Sequence, residues 1–193
     1  MTLIVLKILL VMVISFTGAQ STGKSTLLTK MQTDERFRKF NFVPEITRSL
    51  KKKYKLDINE DGDEFTQLLT VNSHLYNYLD FKGKDVVLDR CILDGLIYTM
   101  YQYQKKKIPI EMYHYTEYLF KKLIGNVDII LYTEPDIPLV DDGERSANKE
   151  FRDIIISLFE EAINHFDIKV IRLNGSVDNR MKTIYNIVDN YGK

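Results

Sequence analysis

The sequence predicts an α/β fold, a parallel sheet covered on its faces by helices. Three observations predict it. Apolar, β-branched runs alternate with longer amphipathic stretches along the 193 residues. A glycine loop, Gly18-Ala-Gln-Ser-Thr-Gly-Lys24-Ser25, follows the apolar run 11–16 directly. Four of the five candidate strands end in polar residues, at the edge where such sheets bind their ligands. A chain of this length can bury one sizeable core, and 1–193 is read as one domain.

The run 3–16 is apolar except for Lys7. It is shorter than the roughly 20 apolar residues a membrane-spanning helix needs, and a signal-type cut after Ala19 would sever the glycine loop. Its distal part is therefore the first strand, at 10–16. Residues 1–11 exceed what a strand requires and are read as a dispensable extension, with Met12 able to begin the functional protein. Further strands are expected at 41–44, 85–89, 128–133 and 169–173. Helices are expected at 24–31, 63–81, 94–104, 110–124, 149–165 and 177–190. Asn59 and Asp61-Gly62 are candidate caps for the second helix. Leu68, Leu69, Leu75, Tyr76 and Leu79 give that helix an apolar face. Pro109 and Gly125 bracket the fourth. The lysine runs 51–53 and 105–107 read as solvated element ends.

Composition excludes several function classes. Lys and Arg number 27 and so do Asp and Glu, so no global field draws the chain to nucleic acid or an anionic membrane. One cysteine, Cys91, rules out an internal disulfide framework and a cysteine-rich zinc site. It reads as a small buried hydrophobe, and this usage suits a reducing cytoplasm. The three histidines show no metal-ligand spacing.

The glycine loop carries the strongest chemistry. It has the complete G-x4-G-K-S spacing between a buried strand and a helix start. At ordinary glycine usage this spacing arises by chance in on the order of one per cent of such chains. Inward-facing backbone N–H groups and the helix dipole would cradle phosphates. Gly18, Gln20, Ser21, Thr22, Gly23, Lys24, Ser25 and Thr26 are the candidate ATP-binding residues. Lys24 would neutralise the β/γ-phosphates and the Ser25 hydroxyl would ligate Mg²⁺.

Later strand ends add candidates. Phe42-Val-Pro-Glu45-Ile-Thr-Arg48 follows the second strand, and Val86-Val-Leu-Asp89-Arg90-Cys-Ile-Leu-Asp94 contains the end of the third. Asp89 ends an apolar run, the pattern of a Mg²⁺-organising carboxylate. Glu45, Arg48 and Arg90 fit either a substrate site or a structural ion-pair cluster. Asp94 is read first as a helix cap and second as a substrate contact. Tyr98, Tyr101, Tyr103, Tyr113, Tyr115 and Tyr118 read mainly as packing. The fourth strand leads into a loop, about 135–149, with Arg145 near its end and Arg152 in the next helix. Arginines arriving from a closing lid would stabilise a transferring phosphoryl group. Leu173-Asn-Gly-Ser176 is a turn where a nucleotide base would pack.

Together, Gly18–Thr26, Pro44-Glu-Ile-Thr-Arg48, Asp89-Arg-Cys-Ile-Leu-Asp94 and Asp142-Gly-Glu-Arg145 resemble the NadR-like P-loop (AAA-type) family, in order and over nearly the whole chain from Met12. The resemblance is to the ribosylnicotinamide kinase half and to phage nucleoside and nucleotide kinases, with no adenylyltransferase segment. It implies a nucleoside-monophosphate-kinase-like fold, a three-layer P-loop NTPase with sheet order 2-3-1-4-5 and a lid before the fifth helix.

The expected activity is ATP- and Mg²⁺-dependent phosphoryl transfer to a small nucleoside or nucleotide. Lys24, Glu45, Asp89, Arg145 and Arg152 are the candidate catalytic residues. Glu45, Arg48, Arg90 and Asp94 would bind the acceptor, and Ser25 and Asp89 the metal. If the acceptor is a sugar hydroxyl, Glu45 is the first choice of base. If it is a phosphate, no base is needed. The rival reading is a nucleotide-dependent switch without a phosphoryl acceptor. A motor acting on nucleic acid fits poorly with zero net charge.

Overall fold

Ile14 and Phe16 of β1 (Val13–Thr17) are fully buried, and so are Ser15 and Thr17 between and beyond them. A strand buried on both faces needs parallel neighbours at its edges and helices above and below. The computed structural model describes residues 11–138 and 148–191. In it β1 pairs in parallel with β3 (Val86–Asp89) on one side and β4 (Ile129–Thr133) on the other. β2 (Asn41–Val43) and β5 (Ile171–Leu173) pair outside these, giving the order β2-β3-β1-β4-β5. This is the order that the family resemblance implies. The register sets Phe16 opposite Asp89, and Thr17 opposite Tyr132.

Alternate strand residues face opposite layers, and the core divides accordingly. Ile14, Phe16, Ile129 and Leu131 pack with Leu27 and Met31 of α1 (Lys24–Gln32) and with Met181 and Ile184 of α7 (Val177–Asn190). Tyr132 packs instead with the second cluster. That cluster is built on α3 (Glu64–Phe81), α4 (Ile92–Gln104), α5 (Ile110–Leu123) and α6 (Lys149–His165). Leu93, Leu96, Phe151, Ile155 and Phe159 are among its most buried members. Three layers result, with α4 enclosed by α3, α5 and α6. Among the described residues no helix is long and apolar enough to cross a membrane.

Several boundaries differ from those expected. β1 begins at Val13 rather than at 10, and the expected extension falls almost wholly outside the described residues. β5 begins at Ile171 rather than 169. Asn59 and Asp61-Gly62 do not cap α3. Residues Asn59–Asp61 form a separate 3₁₀ turn, and Asp63 is the cap, accepting from Thr66 N at 2.8 Å. α4 starts at Ile92, two residues before the expected 94, because Cys91 is its N-cap and Asp94 its third residue. One helix is new. α2 (Ile46–Tyr54) carries the 51–53 lysine run and buries none of its residues. Its apolar positions Ile46, Leu50 and Tyr54 recur at helical spacing, but over only nine residues.

Candidate functional site

The glycine loop lies at the carboxyl end of the central strand, between β1 and α1. Gly18 holds φ +124°, and a Cβ there would sit 2.9 Å from both the carbonyl and the hydroxyl of Thr133. Only glycine fits. Thr133 Oγ1 donates to Thr17 O at 3.0 Å and meets Thr22 Oγ1 at 2.6 Å, so β4 braces the loop from outside. Gly23 starts α1 with no side-chain cap, which leaves the first turn presenting backbone N–H groups and the positive dipole end at the loop.

Lys24 is buried and folded into the loop. Its Nζ donates to Gly18 O at 2.8 Å, Ala19 O at 2.6 Å and Thr22 Oγ1 at 3.1 Å. Burial first, and then the Arg90 guanidinium, push its pKa down to about 7. A phosphate in the loop would restore it, since a nearby anion favours the charged form. Arg152, in the first turn of α6, reaches the same place. Its Nη2 donates to Ile137 O at 3.0 Å and Ser21 O at 3.5 Å, while its buried Nε has no partner among the described residues. Both amide atoms of buried Gln20 also lack partners. Buried polar atoms are normally satisfied, and the two orphan donors at the loop, Arg152 Nε and Gln20 Nε2, suit a site completed by a polyanion.

Arg90 follows β3 with φ +80°, a left-handed backbone uncommon for a side-chain-bearing residue. Its Nε donates to Glu45 Oε1 at 2.9 Å; its Nη1 donates to Asp94 Oδ1 at 2.6 Å and to Gly18 O at 3.1 Å. Its guanidinium also lies over the Tyr98 ring at 5.5 Å. Asp94 is 2% exposed, and its Oδ2 accepts from Thr17 Oγ1 at 2.8 Å and from Cys91 N at 3.2 Å. It is therefore both a capping-box member and the anchor of Arg90. Glu45 Oε2 pairs with Arg48 Nε at 3.2 Å. Burial alone would raise the Glu45 pKa, but Arg90, then Arg48 and Lys24, outweigh it and hold the carboxyl below its usual range. A narrow cavity between α3 and α4 is lined by Glu45, Gln67, Thr70, His74, Arg90 and Tyr98.

Asp89 faces a different cavity, shared with Ser25, Thr29, Phe42 and Pro44. Burial, opposed by Arg90 and reinforced by Glu45, raises its pKa. The Ser25 hydroxyl and the Asp89 carboxylate on this common cavity are hard oxygen donors that suit Mg²⁺, which keeps most of its waters. Among the described residues no group of three or more His, Cys, Asp or Glu could hold a metal ion.

Residues 13–180 match the family model described as AAA domain. The chain belongs to this AAA-domain family. No curated protein matches the sequence. Among solved structures, NadR in complex with NR superposes with TM-score 0.70 at 21% identity, covering 95% of this chain and 52% of that one. A second NadR structure, with NAD and AMP-PNP, gives 0.68 at 19% identity, with coverage of 95% and 51%. Deoxyadenosine kinase from M. mycoides with bound dATP gives 0.68 at 16% identity, with coverage of 93% and 100%. The chain thus spans about half the length of the NadR chains. These likenesses bear out the NadR-like P-loop fold that the motifs imply.

Within this AAA-domain fold the sequence-selected residues form two groups, with Asp89 apart on the cavity it shares with Ser25. Gly18–Thr26 and Arg152 converge around the loop, and Glu45, Arg48, Arg90 and Asp94 form one ion-pair cluster. Arg145 and most of the expected lid lie outside the described residues. Cys91 is buried, its thiol pushed up to about 12 by burial and then Asp94. Sequence reasoning missed three residues. Gln67 and His74 line the narrow cavity from α3, and Arg180 grips the glycine loop from α7. Gln67 and His74 lie seven residues apart, two helical turns, which is a signal that a polar-face search of α3 would find. Arg180 gives none, because arginine in an amphipathic helix reads as a solvated position.

Proposed function

We propose that this protein transfers the γ-phosphoryl group of ATP, with Mg²⁺, to a hydroxyl group of a neutral nucleoside. One contrast in charge carries the reading. Among the described residues Lys24 and Arg152 pair with no carboxylate, whereas Arg90 is matched by Glu45 and Asp94. The donor side keeps a surplus of positive charge for a triphosphate. Among the described residues lining the narrow cavity beside it, no buried cation is left unmatched for an acceptor phosphate. The likeness to NadR bound to NR and to a deoxyadenosine kinase supports the same acceptor class.

In this reading the loop amides of Gly18–Thr26 and the Lys24 ammonium hold the donor phosphates. Arg152, through its unpartnered Nε, meets charge that builds on the transferring group. Glu45 takes the hydroxyl proton as the acceptor oxygen bonds to the γ-phosphorus and the bond to ADP breaks. Arg90 and Asp94 fix the position of Glu45, and Arg48 flanks it. Ser25 and Asp89 would hold Mg²⁺, which when bound neutralises phosphate charge.

A transfer screen tests this, with ATP or GTP as donor and nicotinamide riboside, nucleosides and nucleoside monophosphates as acceptors. Transfer to one or more nucleosides is expected. Transfer to monophosphates alone would overturn the hydroxyl acceptor. Nucleotide binding with no transfer to any of them would favour the switch.

A further inference from the structure

Arg180, near the start of α7, is 3% exposed, and its guanidinium joins three loops. Nη1 donates to Thr22 O in the glycine loop at 2.6 Å. Nε donates to Gly175 O, in the turn after β5, at 3.1 Å. Nη2 donates to Glu134 O at 3.4 Å and to Asp136 Oδ1, both in the segment after β4. The other Asp136 oxygen accepts from Gly175 N at 2.6 Å. The Arg180–Asp136 pair therefore cross-links the loops at the carboxyl ends of β1, β4 and β5, three adjacent strands. A lysine offers one nitrogen and cannot reach these directions at once, whereas the guanidinium fork can.

The contact with Thr22 O has a directional consequence. In a trans peptide the C=O and the following N–H point in opposite directions, and no described peptide is cis. Tying Thr22 O to Arg180 therefore aims the Gly23 N–H away from Arg180. A buried arginine of α7 thus sets the direction of one N–H group of the loop.

Resting on the nucleotide-binding reading above, we infer that Arg180 is a positioning residue. With Asp136 it orients the glycine loop and couples that loop to the turn after β5, so that the phosphates and base of a nucleotide are gripped by one connected unit.

The test measures binding of ATP and of inorganic triphosphate to wild type, Arg180→Lys, Asp136→Asn and the double variant, with melting temperatures alongside. Arg180→Lys should weaken ATP at least about tenfold, the scale of a lost charge-assisted hydrogen bond, and weaken inorganic triphosphate distinctly less. Asp136→Asn, at a partly exposed loop position, should move ATP in the same direction, and the double variant should bind no worse than Arg180→Lys. In turnover, KM for ATP should rise more than kcat falls. Equal weakening of the two ligands, additive effects or unchanged ATP binding would each overturn the inference. If Arg180→Lys does not fold, the ratio of the two ligands in Asp136→Asn decides it. Wild-type protein that does not bind ATP overturns the nucleotide-binding reading itself, and the inference with it.

Discussion

The proposed donor and acceptor sides of this site use arginine in opposite ways. Around the glycine loop, Arg152 donates to the carbonyls of Ser21 and Ile137, and Arg180 to those of Thr22, Glu134 and Gly175. Among the described residues Arg180 alone of these two also holds a carboxylate, that of Asp136. On the acceptor side Arg90 is spent on Glu45 and Asp94, and Arg48 meets Glu45 again. Carbonyls satisfy a guanidinium's hydrogen bonds without cancelling its charge; carboxylates do both. One side is therefore left cationic and the other neutralised, though the two are built from the same residue type a few ångströms from the shared Gly18 carbonyl.

Breaking the donor side should have the largest effect. Lys24→Ala removes the only lysine inside the loop, and ATP turnover should fall roughly 10³-fold or more, read in a coupled ADP-release assay. Breaking the acceptor side should be smaller and of a different kind. Glu45→Gln keeps the size of the side chain but loses its charge, so ATP binding by calorimetry should hold while kcat falls roughly 10²–10⁴-fold. Unchanged transfer would remove Glu45 as base, and a parallel loss of ATP binding would show that the two sides are not separable.

The contrast between the sides was only half legible in the sequence. All five strands and six of the seven helices among the described residues follow from apolar period, because each buries a face. α2 escaped, since its apolar positions Ile46, Leu50 and Tyr54 span only nine residues and none of them is buried. At the site, the glycine loop is contiguous and its spacing is its chemistry, so it reads directly. Glu45, Arg90 and Asp94 read as candidates because they follow strands, but whether they bind substrate or each other depends on approaches between residues 45 apart. Arg180 is 158 residues from Thr22 and stands in a helix whose exposed face is equally polar. No local pattern encodes such a contact.

A pH titration sharpens the comparison next. His74, beneath the acceptor cavity, is buried, and burial pulls its pKa down to about 4, with Arg90 helping and Asp94 and Glu45 opposing. The ordinary histidine value of 6.5 applies when the chain unfolds. Between the two, the unfolded chain binds a proton that the folded protein refuses. Stability should therefore be full above pH 6.5 and fall as pH drops toward 4, by at most about 3 kcal/mol from this group. Urea unfolding across that window should show the loss, and His74→Gln should flatten its slope. An equal slope in the variant would assign the acid sensitivity elsewhere.

The smallest effect expected is also the most local. Gly95, on α4, lies against His74: a Cβ there would be 3.3 Å from His74 Cδ2 and 3.5 Å from Val71 Cγ2. Gly95→Ala improves helix propensity by about 1 kcal/mol, but it overpacks a buried contact, which typically costs about 1–3 kcal/mol. The net change should be a destabilisation of about 1 kcal/mol, read by urea unfolding. Its functional signature matters more than its size. His74 also lines the acceptor cavity, so displacing it should raise the acceptor KM severalfold while the Kd for ATP stays within twofold. One route from α4 to the glycine loop runs through Asp94, which binds Arg90 and Thr17. A matching loss of ATP affinity would mean that strain passes through Asp94 into the loop, and that the two sides respond as one.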